Sequence, residues 1–229
     1  MKLLSDLLCL FFPRHCLTCG NSLFPEEEVL CMGCRFHLPR TFFEHDPENV
    51  VARAFWGRIP LAAAGAAYHF RKGNRVQQLL HRLKYRGEAH IGLYLGKLLG
   101  ESIRTHPVFS KADKIIPIPL HPKKLRKRGY NQSERIARGV AEVTGIPVDL
   151  FCLCRVQANR TQTKKARYAR WENVSEVFAV EKPEKIRGKH ILLIDDVITT
   201  GATMEAAAQS LRDAGAEAVS LLAFASTFR

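Results

Sequence analysis

Apolar positions in the middle of the chain recur every three or four residues, which is the period of an amphipathic helix. Asn74 is a favourable N-cap residue and Gly87 a favourable stop, so we predict a first helix between them. A second apolar face covers residues 91–103. The capping-box pattern Asn-Gln-Ser-Glu at residues 131–134 predicts a third helix, which Gly145 ends.

Short apolar segments follow or separate these helices. The predicted strands are residues 114–119, 148–153, 190–194 and 218–225, with a further helix at 202–214. The continuous apolar segment at 190–194 is typical of a central parallel strand that is buried on both faces. Strands that alternate with helices predict an α/β fold with a doubly wound, mainly parallel sheet. Ligands of such sheets bind at the carboxyl ends of the strands, here after Ile118 and after Ile194.

The N-terminal segment from Leu3 to Phe12 is apolar, but Asp6 interrupts it and a cysteine pair follows it. It is shorter than the roughly 20 residues of a membrane span, and it lacks a small-residue cleavage site. We therefore predict no membrane span and a cytoplasmic protein, on which this segment docks. With 46% hydrophobic and 25% charged residues, the composition is that of a globular protein.

The charge is unevenly divided along the chain. Residues 1–55 carry 5 basic and 7 acidic side chains, whereas residues 56–229 carry 30 basic and 15 acidic ones. The cationic second part favours anionic ligands, either nucleic acid or a phosphorylated small molecule. Residues 39–60 contain three prolines and no sustained period. We place a domain boundary there, with a zinc-binding module at 1–55 and the larger domain at 56–229.

Two Cys-x-x-Cys pairs lie close together in the first module, and their members are Cys16, Cys19, Cys31 and Cys34. Four thiolates complete the tetrahedral coordination of a structural Zn²⁺ ion and leave no open position for a substrate. Four structural or redox-active cysteines are the alternative. The net negative charge, with three glutamates at residues 26–28, argues against a nucleic-acid finger. We expect the neighbouring His15 and His37 to be incidental.

The predicted strand at 190–194 continues into Asp-Asp-Val-Ile-Thr-Thr-Gly-Ala-Thr, residues 195–203, and then into a helix. Gly201 allows a ligand to approach the backbone closely, while threonine hydroxyls and free N–H groups at a helix start bind a phosphate dianion. Asp195 and Asp196 cannot help to bind phosphate, so we assign them to sugar hydroxyls or to the water shell of Mg²⁺. Phosphate on one side and a diol on the other indicate a ribose 5-phosphate.

Other sites use similar sequences. A Walker B strand needs a P-loop, and residues 92–98 have one residue too few between their glycines and lack the Ser/Thr. A receiver domain has its acidic pair at the first strand rather than near the C-terminus. A polar turn without a ligand is the remaining alternative.

Residues 191–203 closely resemble the phosphoribosyl-pyrophosphate signature of type I phosphoribosyltransferases. Four further segments, in this order, resemble the ComF family: Leu-Lys-Tyr-Arg-Gly at 83–87, Ile-Pro-Ile-Pro-Leu-His-Pro at 116–122, Arg-Lys-Arg-Gly-Tyr-Asn-Gln-Ser at 126–133 and Arg-Thr-Gln-Thr at 160–163. That family also begins with a four-cysteine zinc module. The resemblance therefore covers nearly the whole chain.

This resemblance implies a role for each candidate residue. Asp195 and Asp196 would hold the 2′ and 3′ hydroxyls of the ribose. The 5′-phosphate would lie on the turn that contains Val197, Thr199, Thr200, Gly201, Ala202 and Thr203. Pyrophosphate, with its Mg²⁺, would lie on the loop after the first sheet strand, residues 120–130, whose proposed cations are Lys123, Lys124, Arg126 and Arg128.

A second basic segment, residues 155–170, resembles the mobile lid of these enzymes. Lys164, Lys165 or Arg167 would reach into the closed site, from which the lid excludes water. On charge alone, each of the two basic segments could instead be a solvated surface.

Together these features predict a phosphoribosyltransferase that binds phosphoribosyl pyrophosphate with Mg²⁺ and modifies an unidentified acceptor. Residues 84–86 could line the acceptor side or belong to a helix surface. The ComF family is associated with DNA uptake during natural transformation, which keeps two alternatives open. One is a non-catalytic accessory that binds single-stranded DNA and a helicase partner, and the other is a sensor that binds phosphoribosyl pyrophosphate without turnover.

Overall fold

The computed structural model of the chain describes residues 13–155 and 178–228. Its helices are α1 (Met32–Phe36), α2 (Val50–Arg53), α3 (Arg75–Tyr85), α4 (Ala89–Ile103), α5 (Pro122–Arg128), α6 (Gln132–Thr144) and α7 (Ala202–Asp213). Its strands are β1 (Ala63–His69), β2 (Lys114–Pro117), β3 (Leu153–Arg155), β4 (Phe178–Val180), β5 (His190–Ile198) and β6 (Ala218–Ser226).

Four strands form a parallel sheet in the order β1-β6-β5-β2. In this register Ile194 of β5 is paired with Leu222 of β6 and with Pro117 of β2. β3 and β4 form a separate antiparallel pair. The predicted mainly parallel α/β sheet is thus confirmed.

Helices cover both faces of the sheet, which explains why β5 and β6 are apolar at nearly every position. Leu192 and Ile194 pack into one hydrophobic cluster, with side chains from α3, α4 and α6. Ile191 and Leu193 pack into the other cluster, with side chains from α2 and α7. The successive residues of β5 point to opposite faces, so each face of the strand is anchored to a different helical layer.

Helices α4 and α6 cross with their backbones in contact. A Cβ atom added to Gly96 would lie 2.1 Å from the carbonyl oxygen of Ile136, and one added to Gly139 would lie 2.1 Å from that of Leu93. Only glycine fits at either position. This close approach fixes α6, whose first turn lies at the carboxyl end of β5.

The predicted helix starts are confirmed by their caps. Asn74 Oδ1 accepts a hydrogen bond from the N–H of Gln77 (2.9 Å), and Asn131 Oδ1 accepts one from the N–H of Ser133 (3.1 Å). The predicted capping box is not completed, since Glu134 accepts its hydrogen bond from Arg138 instead. Because α4 and the cap of α6 both follow the sequence pattern, the helical layer was predictable in outline.

Three predictions about strands are wrong. The first strand of the sheet is β1 rather than residues 114–119. The alanine-rich sequence of β1 has a low intrinsic preference for strands. Its burial between the two helical layers outweighs this low preference. Residues 148–153 do not form a sheet strand: Val148 makes a single parallel bridge to Ile115, and the strand that follows, β3, pairs only with β4. β5 extends to Ile198, so the acidic pair lies within the strand rather than after it.

The N-terminal module packs against the larger domain. Cys16, Leu30 and Cys34 belong to the same hydrophobic cluster as Tyr94 and Leu98 of α4. The boundary between residues 55 and 56 stays a prediction. Among the described residues, no helix is both long and apolar enough to cross a bilayer. The apolar face at residues 3–12 lies outside the described residues.

Candidate functional site

The acidic pair lies at the carboxyl end of β5, beside the first turn of α6. Asp195 Oδ1 accepts hydrogen bonds from the Ser133 hydroxyl and from the backbone N–H of Asp196, both at 2.8 Å. Part of the surface of Asp195 stays exposed, but its carboxyl group is enclosed. Burial, followed by the negative charge of Asp196, raises the pKa of Asp195 to about 7, and the hydrogen bonds and Lys84 only partly offset this. The pair therefore gains its second negative charge near neutral pH.

Lys84, in the last turn of α3, forms an ion pair with Asp196. Its Nζ atom lies 2.7 Å from Asp196 Oδ2, and the two side chains are 26% and 11% exposed. The nearby Tyr130 hydroxyl donates to the carbonyl of Leu83, which ties the end of α3 to the start of α6. The sequence suggested that residues 84–86 could line the acceptor side, but no local pattern indicated that Lys84 faces the acidic pair.

The turn after β5 has the properties expected of a phosphate site. Gly201 has φ +81°, in the left-handed region, and begins α7 without a side-chain cap. Among the described residues, no backbone carbonyl accepts a hydrogen bond from the N–H groups of Thr199, Thr200 or Gly201. These three N–H groups are available to an anion, whereas the N–H of Ala202 donates to the hydroxyl of Thr200 (3.4 Å). Thr203 lies in the first turn of α7.

The segment before β1 supports this turn. A Cβ atom on Gly201 would lie 2.7 Å from Phe55 Cζ, so the aromatic ring packs directly on the glycine. Arg58 Nη1 donates to the carbonyl of Thr200 (3.2 Å), and its other terminal nitrogen pairs with Glu205 of α7. Neither Phe55 nor Arg58 was identified from the sequence, because nothing in residues 49–61 resembles a phosphate-binding motif.

The proposed pyrophosphate cations lie on a helix instead of the predicted loop. His121 caps α5 and Gly129 ends it, so Lys123, Lys124, Arg126 and Arg128 are all helical. Beside α5 is a cavity of about 380 Å³, the basic cavity, which is lined by Lys84, Tyr85, Gly87, Lys124, Lys127 and Arg128. Lys124 and Arg128 thus face the same cavity as Lys84, whereas Lys123 and Arg126 do not line it.

The four predicted zinc ligands converge. The sulfur atoms of Cys16, Cys19, Cys31 and Cys34 all lie within 4.8 Å of one another. The Cys19 and Cys31 sulfurs are 3.7 Å apart, close to the roughly 3.8 Å that a tetrahedron with 2.3 Å Zn–S bonds requires. The Cys31 sulfur also accepts from the N–H of Cys34 (3.4 Å), as in a metal-binding knuckle. The cluster could therefore hold zinc.

The pKa values of two of these thiols are shifted in opposite directions. Burial raises the pKa of Cys16, but hydrogen bonds from Thr18 and from backbone N–H groups outweigh this and lower it to about 6. The backbone at Asn21 lowers the pKa of Cys19, but burial and the other three thiols outweigh this and raise it to about 12. A bound metal would therefore displace the proton of Cys19.

The two neighbouring histidines are engaged elsewhere. Nδ1 of His15 donates to the carbonyl of Gly20 (3.1 Å), and Nδ1 of His37 donates to the carbonyl of Gly33 (2.7 Å). Neither belongs to the four-sulfur cluster.

Comparison with known proteins assigns the larger domain. Residues 126–227, which contain the acidic pair and the turn, match the model of the phosphoribosyl transferase domain. Competence protein F of Haemophilus influenzae is 26% identical over 227 residues, which is 91% of this chain and 95% of the relative. Competence protein ComFC of Bacillus subtilis is 31% identical over 61% of this chain and 55% of the relative. The chain thus contains a match to the phosphoribosyl transferase domain and is similar to ComF-type competence proteins.

Other relatives match over a shorter part of the chain. The DNA utilization protein YhgH of Salmonella typhimurium is 32% identical over 144 residues, or 62% of this chain. The match spans 63% of the length of that relative. A solved structure of the allosteric regulatory enzyme of purine biosynthesis has a TM-score of 0.43 and 26% identity, over 60% of this chain and 26% of that chain. The fold assignment rests on the family model and on the parallel sheet.

The remaining predicted site residues are only partly placed. Lys164, Lys165 and Arg167, proposed for the lid, lie outside the described residues, as does nearly all of the segment 155–170. Arg155, at its start, ends β3 with its guanidinium 5.4 Å from the ring centre of Phe178.

Proposed function

We propose that the chain is a phosphoribosyltransferase that binds phosphoribosyl pyrophosphate with Mg²⁺ at the carboxyl end of β5. One observation carries this proposal: inside the matched domain, an acidic pair is followed by a turn in which the N–H groups of Thr199, Thr200 and Gly201 donate to no backbone carbonyl of the described residues. The pair offers acceptors to ribose hydroxyls and the turn offers donors to a phosphate. The two requirements of a ribose 5-phosphate are thus met by adjacent residues.

In the proposed reaction, Asp195 and Asp196 hold the 2′ and 3′ hydroxyls, and residues 197–203 hold the 5′-phosphate. A nucleophilic atom of the acceptor forms a bond to the anomeric carbon. The bond from that carbon to the pyrophosphate oxygen breaks, and its electron pair leaves with pyrophosphate. A proton on the attacking atom passes to solvent. Cations of α5 and of the segment 155–170 stabilise the charge of the leaving group.

The acidic pair fits a Mg²⁺ ion that is bound mainly through the substrate. Ser133 donates to Asp195 Oδ1 and Lys84 pairs with Asp196 Oδ2, so one oxygen of each carboxylate is already engaged. Magnesium usually keeps several waters and is bound largely through substrate phosphates. When bound, it would neutralise pyrophosphate as that group leaves. We therefore expect the ion to arrive with the substrate.

The four cysteines fit a structural Zn²⁺ ion, which we propose as the second metal. Its module would be residues 1–55, and the phosphoribosyltransferase-type domain would be residues 56–229. Since all four coordination positions are thiolates, this ion has no direct part in the transfer.

Calorimetry tests the proposal. Phosphoribosyl pyrophosphate should bind in the presence of Mg²⁺, and the Asp195→Asn/Asp196→Asn variant should lose binding. Enzyme activity should then appear as pyrophosphate release with a suitable acceptor. If the wild-type chain does not bind phosphoribosyl pyrophosphate with Mg²⁺, the assignment is wrong. Binding without release for any acceptor in a broad panel would support the sensor alternative.

The names of the relatives, competence protein and DNA utilization protein, support a second candidate function. In that case the cationic α5 would contact single-stranded DNA, and a helicase would be a partner. Binding to DNA phosphates weakens steeply with salt, whereas a phosphosugar in a pocket should depend on Mg²⁺ and tolerate salt better. Titrations of single-stranded DNA and of phosphoribosyl pyrophosphate at two salt concentrations distinguish the candidates.

A further inference from the structure

The basic cavity is strongly cationic. Four of its six lining residues are cations and none is acidic. Among the described residues, no carboxylate forms an ion pair with Lys124, Lys127 or Arg128. The positive charge of the cavity is therefore available to an anion.

The cavity also contains an exposed aromatic ring. Tyr85 is 67% exposed, its ring centre lies 4.8 Å from that of His81, and the guanidinium of Arg128 lies 5.7 Å from the ring centre. A ring held in this way offers a stacking surface beside a cation. Pyrophosphate has no group that would use such a surface, whereas a planar aromatic ligand has.

Lys84 connects the basic cavity to the acidic pair. It lines the cavity and also lies 2.7 Å from Asp196. A ligand in the cavity would thus be adjacent to a ribose held by Asp196, as an acceptor must be. No other described side chain is shared by the cavity and the pair.

Helix α5 presents two sets of cations. Lys124, Lys127 and Arg128 have the i, i+3, i+4 spacing of one helix face and line the cavity. Lys123 and Arg126 belong to a different face and remain for the leaving group. One short helix can thus serve two anions.

We propose that the basic cavity is the acceptor site and that the acceptor is an aromatic ring bearing a negative charge, either a carboxylate or a phosphate. This inference rests on the proposed function. A ring nitrogen forms the bond to the anomeric carbon as the bond to pyrophosphate breaks, and any proton on that nitrogen passes to solvent. Tyr85 stacks on the ring, and Lys127 and Arg128 bind its charged group.

Calorimetry with pairs of probes, of which one member carries an anionic group and the other is neutral, tests this inference on the full-length, zinc-loaded chain. Nicotinate is compared with nicotinamide, and phenyl phosphate with phenol, so that the two pairs separate a carboxylate from a phosphate ligand. The charged member of at least one pair should bind at least about tenfold more tightly, since two or more cations face it. Equal binding within both pairs would overturn the inference.

Matched variants locate the site. Tyr85→Ala should weaken binding of the charged probe by about fivefold or more, because a stacking surface is lost, while Tyr85→Phe should retain it. Lys127→Ala should weaken binding. Lys111→Ala removes the same charge from an exposed position just before β2, at the amino end of the strands, and should have no effect on binding of the probe. Equal effects at Lys127 and Lys111 would contradict the assignment.

Two competition experiments address other occupants. Pyrophosphate that displaces the aromatic probe competitively would make the cavity a leaving-group site and overturn the inference. Binding of single-stranded oligonucleotides alone, with steep salt dependence, would also overturn it. A titration with Mg²⁺ and phosphoribosyl pyrophosphate distinguishes a failure of the acceptor-site inference from a failure of the proposed function. If that substrate binds and the probes do not, only the acceptor site is wrong; if it does not bind, the proposed function itself is wrong.

Discussion

Lys84 and Asp196 form an ion pair across the carboxyl end of the sheet, with Lys84 Nζ 2.7 Å from Asp196 Oδ2. Asp196 is buried, and its neighbour Asp195 is enclosed and hydrogen-bonded to Ser133. One cation from α3 therefore faces two adjacent carboxyl groups from β5. This arrangement links the edge of the sheet that we propose for phosphoribosyl pyrophosphate to the surface that we propose for the acceptor.

Replacing Lys84 by methionine should lower the free energy of unfolding by about 1–3 kcal/mol, because Asp196 would keep a mostly buried charge without its cation. Urea denaturation near neutral pH measures this. Lys97→Met is the matched control: Lys97 pairs with Glu28 and Glu142 at 3.7 and 3.4 Å, and both carboxylates are at least half exposed. Lys97→Met should lower the free energy of unfolding by less than about 1 kcal/mol. An equal cost for both variants would mean that burial of Asp196 contributes little.

The contribution of Asp195 to the stability of the protein should fall as the pH rises from about 4 to about 7. Its pKa is raised to about 7 in the folded state, chiefly by burial. Between the pKa of the unfolded state and that of the folded state, Asp195 is protonated in the folded state and ionised in the unfolded state. The resulting stabilisation of the folded state is present at low pH and is lost as the pH approaches 7. Asp195→Asn should remove up to about 4 kcal/mol of this dependence. Chemical denaturation across this range measures it.

Ser133→Ala provides the opposite test of the same carboxyl group. The Ser133 hydroxyl lowers the pKa of Asp195, so its removal should move the midpoint of the titration above that of the wild type. Carbon NMR of the aspartate carboxyl groups reports that midpoint directly. A midpoint that does not move would mean that the hydrogen bond from Ser133 is absent in solution.

Binding of phosphoribosyl pyrophosphate with Mg²⁺ should strengthen as the pH rises through about 7, because the ionised Asp195 is the better acceptor for ribose hydroxyls. Calorimetry over roughly pH 6 to 8 measures this, and Asp195→Asn should abolish the dependence. Binding that weakens over the same range would show that protonated Asp195 is the form that holds the ribose.

Gly201→Ala should destabilise the protein by about 2–4 kcal/mol and impair substrate binding, since the added Cβ meets both a left-handed backbone and the ring of Phe55. Gly188→Ala is the control. Its φ is also positive, at +67°, but nothing lies within 4 Å of the added Cβ, so only the backbone cost of about 1–2 kcal/mol should appear. Thermal denaturation and calorimetry measure the two effects. If the two variants are equally stable, Phe55 does not press on the turn.

Cys19→Ser and Cys31→Ser should each lose bound zinc and lower the thermal midpoint, because the cluster shares its hydrophobic core with α4. Elemental analysis of the purified chain gives the zinc content, and circular dichroism gives the midpoint. Cys154→Ser should keep the metal, since Cys154 lies in β3 and outside the cluster. Zinc retained by the Cys19 and Cys31 variants would refute the four-sulfur site.

Local patterns were sufficient for much of the fold. The caps at Asn74 and Asn131 and the apolar faces of α3, α4 and α6 follow from short-range chemistry, and all were predictable. β1 was missed because its alanines and glycine become a strand only through burial beside β6. The pair β3 and β4 was missed because its two strands are distant in sequence.

The sequence by itself was enough to identify the four cysteines, the acidic pair and the turn after β5 as candidate sites. Each is a contiguous or regularly spaced pattern whose chemistry depends on residue type. Tertiary structure alone decided that Lys84, Ser133, Phe55 and Arg58 meet this site. These residues come from α3, from α6 and from the segment before β1, and no local signal relates them. Their convergence follows from how the helices pack on a parallel sheet, which brings the ends of distant segments to a single edge.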